Sequence, residues 1–255
     1  MIALDLARAL DPVLMMQDAG VTPDPWQADL LRLTSHSVAN PVKRVLMLCA
    51  RQTGKTETAA GMALHRALYE DAALIVCVSP SQDQSDELLR RIKQLHGNLA
   101  GVSAMEGESV RRITFKNGSR IRALSANERT IRGISGLSMI IIDEAARVEE
   151  DVLAAVLPMM ATRPDATAVA LSTPKGMRGW YYDAWNGTED WHRVMVSATE
   201  CPRISQEYLD EMLRKLGAQR FSEEFGLQFL DSNESVFPTH IIDRAFDAAV
   251  LPLWN

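Results

Sequence analysis

The stretch RVLMLCARQTGKTETAAGMALHRALYE (residues 44–70) decides the fold. Its first part, 44–50, has the length and aliphatic composition of a strand that is buried on both faces. Its last part, 54–70, has helical periodicity and begins at Gly54. The segment CARQTGKT (49–56) joins the two, and the order of strand, glycine loop and helix predicts a loop whose backbone N–H groups bind phosphate.

The same alternation continues along the chain. Four more short apolar runs predict buried strands: ALIVCVS (73–79), SMIIIDEA (138–145), TAVALST (167–173) and HRVMVSA (192–198). Helical periodicity is found over 25–33, 82–95 and 149–161. Strands that alternate with helices indicate an α/β domain with a mostly parallel sheet and helices on both faces. The segment 111–125 departs from this pattern, because its two alternating runs flank Asn117-Gly118 and predict an antiparallel hairpin appended to the sheet.

Composition sets broad limits on the class of protein. The chain has 255 residues, of which 47% are hydrophobic and 24% charged, so it can form a sizeable core but not two full catalytic domains. A net charge of −6 argues against a polycation that coats nucleic acid non-specifically. Three scattered cysteines favour a reducing cytosol over a disulfide framework or a zinc site, and no apolar run is long enough for a membrane span.

Two residues of the glycine loop carry the chemistry expected of a nucleotide site. Lys55 is placed to reach the β- and γ-phosphates, and the Thr56 hydroxyl to ligate Mg²⁺. The motif departs from the common G-x-x-x-x-G-K-[ST] pattern, since Cys49 replaces the first glycine. Arg51 is an unusual cation inside such a loop, and it can either lie along the phosphates or pair with a carboxylate.

A second motif ends the apolar run at 138–145. Asp143 and Glu144 follow four apolar residues, which places them at the carboxyl end of a buried strand, where ligand sites of α/β sheets lie. We expect Asp143 to hold Mg²⁺ and Glu144 to polarise the attacking water as general base. The strand at 73–79 intervenes between the two motifs and indicates the subclass of phosphate-loop ATPases that insert a strand between them and use a catalytic glutamate.

Two polar residues have weaker signals. Thr173, within LSTPKG (171–176), either senses the γ-phosphate through its hydroxyl or only belongs to a turn. Gln27 either contacts an adenine edge with its amide or faces solvent on an N-terminal helix.

Arginines 129 and 132 lie in a glycine-punctuated loop just before the carboxylate motif. An arginine there can project from one subunit into the nucleotide site of the next and stabilise transition-state charge. Arg132 is the better candidate because Gly133 leaves the backbone free to present it, but Arg129 stays open.

Four motifs in this order, PxxWQ (23–27), RQTGKT (51–56), IIIDEA (140–145) and STPKG (172–176), resemble the ATPase domain of the large terminase subunit, the DNA-packaging motor of tailed bacteriophages. The resemblance covers roughly residues 20–230. It implies a P-loop NTPase fold of the ASCE type and a Mg²⁺-dependent ATPase that drives double-stranded DNA into a procapsid in the cytoplasm of the infected bacterium.

The same resemblance implies partners and residue roles. The partners are double-stranded DNA, the portal of the procapsid, the small terminase subunit and further copies of this chain, commonly five in a ring, with a monomer allowed in isolation and no membrane. Carried over residue by residue, it implies that Gln27 contacts adenine and that the phosphate loop consists of Arg51, Gln52, Thr53, Gly54, Lys55 and Thr56. It implies further that Asp143 is a metal ligand and Glu144 the catalytic base. Thr173 would be the coupling threonine and Arg132 a finger that acts in trans.

The end of the chain sets its organisation. We expect a P-loop ATPase domain over 1–200 and a helical linker or lid over 201–255, because 204–230 is typical of two helices joined near Gly217. About 25 residues follow this pair, so we expect no nuclease of the ribonuclease H type that full-length large terminases carry. An isolated ATPase domain and a naturally split subunit both fit the sequence.

Contact with DNA requires a local basic surface. The segment 111–122 has five basic and no acidic residues, and on a hairpin it would contact phosphates rather than base edges, unless it is only a solvated face. Arg90, Arg91 and Lys93 form a second candidate. Two other functions stay open. One is a superfamily-2-like helicase or recombination ATPase, although a helicase usually needs a second motor domain and the chain has no room for one. The other is a nucleotide-gated assembly module, although such a module would not need Glu144.

Overall fold

The computed structural model describes residues 2–38, 41–126, 131 and 134–230. Its strands are β1 (Arg44–Cys49), β2 (Leu74–Ser79), β3 (Met105–Glu108), β4 (Arg112–Phe115), β5 (Arg120–Ser125), β6 (Met139–Asp143), β7 (Thr167–Ser172) and β8 (His192–Val196). Its α-helices are α1 (Ile2–Leu10), α2 (Pro12–Asp18), α3 (Pro25–Thr34), α4 (Lys55–Tyr69), α5 (Gln82–Gly97), α6 (Glu150–Val156), α7 (Trp180–Asn186) and α8 (Gln206–Glu224). Short 3₁₀ helices span Ala145–Arg147, Leu157–Met160 and Ala198–Glu200.

All eight strands form one sheet in the order β3-β4-β5-β2-β6-β7-β1-β8. In the part of the sheet with the order β5-β2-β6-β7-β1-β8, every adjacent pair of strands is parallel. Strand β4 runs antiparallel to both β3 and β5. This confirms the predicted mostly parallel sheet, to which all five apolar runs contribute a strand. The prediction of a buried strand is wrong for the run at 192–198, because β8 pairs only with β1 at the edge of the sheet and Met195 is exposed. The carboxyl ends of β1, β6 and β7 therefore meet at one edge, where the ligand site of an α/β fold is expected.

One detail of the predicted topology is wrong. The strand between the phosphate-loop strand β1 and the carboxylate strand β6 is β7, whereas β2 lies on the far side of β6. A parallel strand needs a crossover connection, so its neighbours in the sheet need not be its neighbours in sequence. The inserted strand is thus β7, which ends at Ser172, and it brings the following residue, Thr173, next to both motifs.

Two hydrophobic cores cover the two faces of the sheet. Alternate residues of β1 divide between them: Val45 and Met47 point into a core formed with α2 to α5, and Leu46 and Leu48 into a core formed with α6, α7 and α8. Because each strand must bury both of its faces, its sequence is continuously apolar rather than alternating. The prediction of helices on both faces is confirmed.

The hairpin is confirmed as well, with β4 and β5 joined through Asn117 and Gly118. Gly118 has φ +82°, which suits the turn, and the Asn117 amide donates 2.9 Å to the Ala67 carbonyl, which ties the turn to the end of α4. Strand β3, at the edge of the sheet, was not predicted, since its sequence MEGE has no apolar alternation.

A proline and a glycine interrupt the α-helical backbone at two places. The single helix predicted over 149–161 is wrong in its second half, where Pro158 lacks the N–H that an α-helix needs and the chain continues as a 3₁₀ helix. Gly217 interrupts α8 with φ +74°, as the predicted pair of helices requires. None of the helices in the described ranges is long and apolar enough to cross a membrane.

Candidate active site

The loop after β1 adopts a strained, glycine-dependent conformation. Gln52 and Gly54 have φ of +61° and +94°, and α4 begins directly afterwards at Lys55. A Cβ on Gly54 would lie 2.7 Å from Nε2 of Gln27, so only glycine fits both the backbone and the space. The N–H groups of the first turn of α4 are thereby left at the open end of the loop, which is the arrangement expected for a phosphate.

The side chain of Gln27 makes hydrogen bonds that hold this loop in place. Its amide Nε2 donates to the Gly54 carbonyl at 3.2 Å and to the Thr58 hydroxyl at 3.0 Å, and its oxygen accepts from the Asp24 backbone at 2.7 Å. The side chain is buried, so the solvent-facing alternative for Gln27 is wrong. Both amide protons are used within the protein, and contact with adenine stays a prediction.

The C-terminal part of the described chain holds the loop from the other side. Arg203, which the sequence did not single out, donates 3.0 Å to the Thr53 carbonyl and 2.8 Å to Asp24. The side chain of Arg51 forms an ion pair with the carboxylate of Glu224, 2.9 Å away at the end of α8. The backbone N–H of Arg51 also donates to the Glu224 carbonyl at 2.9 Å. Of the two options for Arg51, this structure has the carboxylate pair.

The two acidic residues after β6 lie in different environments. Asp143 is buried, and its carboxylate accepts a 2.9 Å hydrogen bond from the Glu144 backbone. Burial raises the pKa of Asp143 to about 6, with Lys55 opposing this shift and Glu144 adding to it. A carboxyl group whose pKa is shifted by burial and that lies near a cation is typical of a functional site.

Glu144 is bound by two cations. Its backbone is left-handed, with φ +51°, and its carboxylate accepts from the Lys55 ammonium at one oxygen and from Arg147 at 2.8 Å at the other. A left-handed backbone at a residue other than glycine is costly and is found where the surrounding contacts impose it. The side chain predicted to be the base therefore lies directly against the side chain predicted to bind phosphate.

Arg147 connects this carboxylate to the next strand. Its Nη1 donates both to Glu144 and, at 3.1 Å, to the hydroxyl of Thr173, which is buried at the end of β7. The Ala146 N–H also donates to Ser172, at 3.2 Å. The sequence did not identify Arg147, and its only signal is a spacing of three from Glu144, which a 3₁₀ turn converts into contact.

A cleft of about 410 Å³ opens over these groups. On one side it is lined by Arg51, Gln52, Lys55, Glu144 and Arg147, and on the other by apolar side chains of α8 and its C-cap, among them Tyr208, Met212 and Phe225. This volume is within the usual range for small-molecule sites. The structure therefore brings the predicted phosphate loop and the predicted base to one cleft beneath α8.

A magnesium ion fits the residues at this edge. Within the described ranges no group of three or more His, Cys, Asp or Glu side chains could hold a metal, but Mg²⁺ usually takes only one or two protein ligands and completes its shell with phosphate oxygens and water. Asp143 offers a carboxylate, and the half-buried Thr56 offers a hydroxyl that has no partner in the described part of the chain. These two residues are the ones predicted as ligands.

The predicted trans-acting arginines cannot be placed against this site. Arg129 and Arg132 both lie outside the described residues. The assignment of a finger stays a prediction.

Comparisons with known proteins bear on the family and the fold. Residues 46–244 match the family described as terminase large subunit, T4likevirus-type, N-terminal. The large terminase subunit of Thermus virus P23-45 is 25% identical over 233 residues, a match that spans 76% of this chain and 47% of that protein. The chain thus spans about half the length of this curated relative.

Solved structures show the same fold. The large terminase ATPase domain of Thermus phage P74-26 superposes with a TM-score of 0.68 at 20% identity, over 84% of this chain and 97% of that domain. The large terminase of another thermophilic bacteriophage, in complex with ATP-gamma-S, superposes with a TM-score of 0.64 at 13% identity, over 81% of this chain and 52% of that one.

Proposed function

The chain belongs to the large terminase subunit family, and from that premise we propose that it is the ATP-hydrolysing motor domain that moves double-stranded viral DNA into a procapsid. One observation carries the enzymatic part: Lys55 of a phosphate-type loop and Arg147 bind the two oxygens of the same carboxylate, Glu144, in one cleft. The family match gives no support to a helicase or recombination ATPase.

The contacts of Lys55 and Glu144 suggest how binding leads to hydrolysis. The phosphates of ATP compete with Glu144 for the Lys55 ammonium, because a charge-assisted bond to phosphate is among the strongest that lysine makes. Transfer of Lys55 to the phosphates frees one oxygen of Glu144 to accept a proton from the attacking water. Bound Mg²⁺, held by Thr56 and Asp143, would neutralise charge on the β- and γ-phosphates.

Arg147 is the positioning residue in this scheme. It keeps the second oxygen of Glu144 in place when Lys55 leaves, and it joins the carboxylate to Thr173, the residue predicted to couple hydrolysis to movement. The remaining bond orients the free oxygen towards the water rather than towards solvent. Since Arg147 acts through Glu144, it affects turnover more than nucleotide affinity.

We expect Arg147→Ala to lower kcat by about 10- to 100-fold with less than a threefold change in KM, because the base loses its orientation while the phosphate loop is intact. Steady-state phosphate release over a range of ATP concentrations measures both constants. Arg178→Ala is the matched control, since Arg178 is exposed and has no side-chain partner within the described ranges. An unchanged kcat in Arg147→Ala would exclude the positioning role.

The proposed activity is tested on the unaltered chain by phosphate release from ATP with Mg²⁺, after chelation, and with added duplex DNA. We expect hydrolysis that stops on chelation and that rises with DNA and with protein concentration, since a finger supplied by a neighbour requires assembly. Slow hydrolysis that responds to neither DNA nor concentration would instead support the assembly module. No Mg²⁺-dependent hydrolysis under any of these conditions would contradict the proposal.

The remaining expectations rest on the family. We propose a ring of copies on the portal, a small terminase subunit as a further partner, and a division into a motor over 1–200 and a linker or lid over 201–255. In support of the lid, α8 lines the nucleotide cleft and Glu224 binds Arg51. The expectation that these residues carry no nuclease stays a prediction.

A further inference from the structure

The two basic segments of the sequence differ in how their charges are paired. On α5, Arg90 binds Glu87, Arg91 binds Glu57 and Lys93 binds Glu108 at 3.2 Å. Lys93 also donates 3.0 Å to the Ser109 carbonyl. Each of these cations already has a carboxylate, so the α5 segment offers little net positive field to a ligand.

The hairpin places its cations differently. Arg112 of β4 lies directly opposite Arg122 of β5, and Arg120 lies opposite Thr114. Residues opposite each other in an antiparallel pair, and residues two apart along a strand, share one face of the sheet. The three arginines therefore project from the same face.

The other face of the hairpin is part of the core. Ile113, Phe115, Ile121 and Ala123 are fully buried against the layer formed by α4 and α5. The hairpin is thus joined to the sheet through the pairing of β5 with β2, and one of its faces packs against the helices. On its second face Arg112 and Arg120 are exposed and Arg122 is half-buried.

No carboxylate neutralises this face within the part of the chain that the structure describes. Arg112, Arg120 and Arg122 make no ion pair and no side-chain hydrogen bond there. Like charges directly opposite across two strands destabilise a hairpin, so the Arg112–Arg122 pair costs stability without a packing role. A polyanion that lies across the face would remove this repulsion.

We propose that the face of Arg112, Arg120 and Arg122 binds the phosphates of duplex DNA. This rests on the proposed function and names the surface through which the motor contacts its substrate. Neighbouring strands are about 4.8 Å apart and residues i and i+2 about 6.6 Å apart, so the three guanidinium groups form one compact cationic surface. Duplex DNA offers a phosphate charge about every 1.7 Å of its axis, and the planar fork of arginine binds phosphate oxygens in pairs.

The contact is to the backbone and not to bases. Arg112, Arg120 and Arg122 lie on one face of strands that are paired within the sheet, and three cations without hydrogen-bond acceptors match phosphate oxygens, which carry no sequence information. With a net charge of −6 over the whole chain, the rest of the surface repels DNA on balance and confines it to this face. Binding is therefore independent of sequence, as a motor that moves along a whole genome requires.

A matched pair of triple variants tests the proposal. Arg112→Gln/Arg120→Gln/Arg122→Gln and Arg90→Gln/Arg91→Gln/Lys93→Gln each remove three positive charges, one set from the hairpin face and one from α5. The probe is a fluorescent duplex of about 30 base pairs and arbitrary sequence, titrated by anisotropy at several salt concentrations. The thermal unfolding of both variants is measured alongside this titration. The hairpin variant should be no less stable than the unaltered chain, because it loses a like-charge pair.

We expect the hairpin variant to bind duplexes of any sequence at least about tenfold more weakly, and its plot of log K against log salt to be shallower by about 2 to 3, since each lost phosphate contact lowers the slope by about 0.9. The α5 variant should change affinity less than threefold. Basal ATP hydrolysis should be unchanged in the hairpin variant, and only its stimulation by DNA should fall.

Equal losses of affinity in the two variants would overturn the proposal in favour of a general charge effect, and an unchanged hairpin variant would overturn it outright. A requirement for one base sequence would contradict the backbone mode. Failure of the proposed function is seen separately, as absence of ATP hydrolysis in the unaltered chain.

Discussion

Glu144→Gln is expected to bind ATP and to lose hydrolysis by a factor of about 10²–10⁴, the usual contribution of a general base. An amide has the shape of the carboxylate and can still accept the hydrogen bond of Arg147, but it cannot take a proton from water. The loop from Gln52 to Thr56 is untouched and the phosphates no longer compete with a carboxylate for Lys55, so nucleotide affinity should be at least that of the unaltered chain. Phosphate release and equilibrium binding of a fluorescent ATP analogue, both with Mg²⁺, measure the two properties.

Glu150→Gln is the matched control for this substitution. Glu150 is exposed at the start of α6 and has no side-chain partner within the described ranges, so its loss should leave turnover unchanged. Turnover of the Glu144 variant at the rate of the unaltered chain would remove Glu144 from the role of base and shift attention to another acceptor in the cleft, such as Glu224.

Lys55→Ala is expected to weaken ATP binding about 100-fold and to abolish measurable hydrolysis. Hydrogen bonds to charged groups contribute about 1.5–3 kcal/mol, and lysine is the only ammonium that lines the cleft in the described part of the chain. The substitution also removes the cation that opposes the raised pKa of Asp143, so the carboxyl that we propose as a Mg²⁺ ligand becomes harder to ionise.

The control for the lysine is Lys43→Ala, an equal loss of charge at an exposed position just before β1. It should bind and hydrolyse ATP as the unaltered chain does. If Lys55→Ala bound ATP with unchanged affinity, the loop 49–56 would not be the phosphate site, and the assignment of the cleft would be wrong.

Much of the fold follows from the sequence because parallel strands buried on both faces leave continuous apolar runs. The runs that became β1, β2, β6 and β7 are of this kind, whereas β8 is an edge strand that is only partly buried. Strand β3 and helices α1, α2 and α7 were missed. MEGE has no apolar alternation, and the three helices have only 9, 7 and 7 residues, too few to show a clear helical period. The position of β7 between β1 and β6 was also missed, because it depends on crossovers that local sequence does not specify.

The candidate site was predictable where roles follow from motifs and not where they follow from contacts between segments. Lys55 and Glu144 were identified by their places after strands, and the structure brings them into contact. Arg203 and Glu224 lie about 150 residues or more from the loop that they bind, and no local pattern marks them. Arg147 owes its role to a 3₁₀ turn that the sequence reading did not include.

The central claim is that one cleft binds ATP through Lys55 and hydrolyses it through Glu144. The most direct measurement is bound ATP and released phosphate in the same Mg²⁺-containing sample, for the unaltered chain, Lys55→Ala and Glu144→Gln. The account predicts both binding and release for the unaltered chain, binding weakened about 100-fold and no release for the lysine variant, and binding without release for the glutamate variant. Identical binding and release in all three would contradict it.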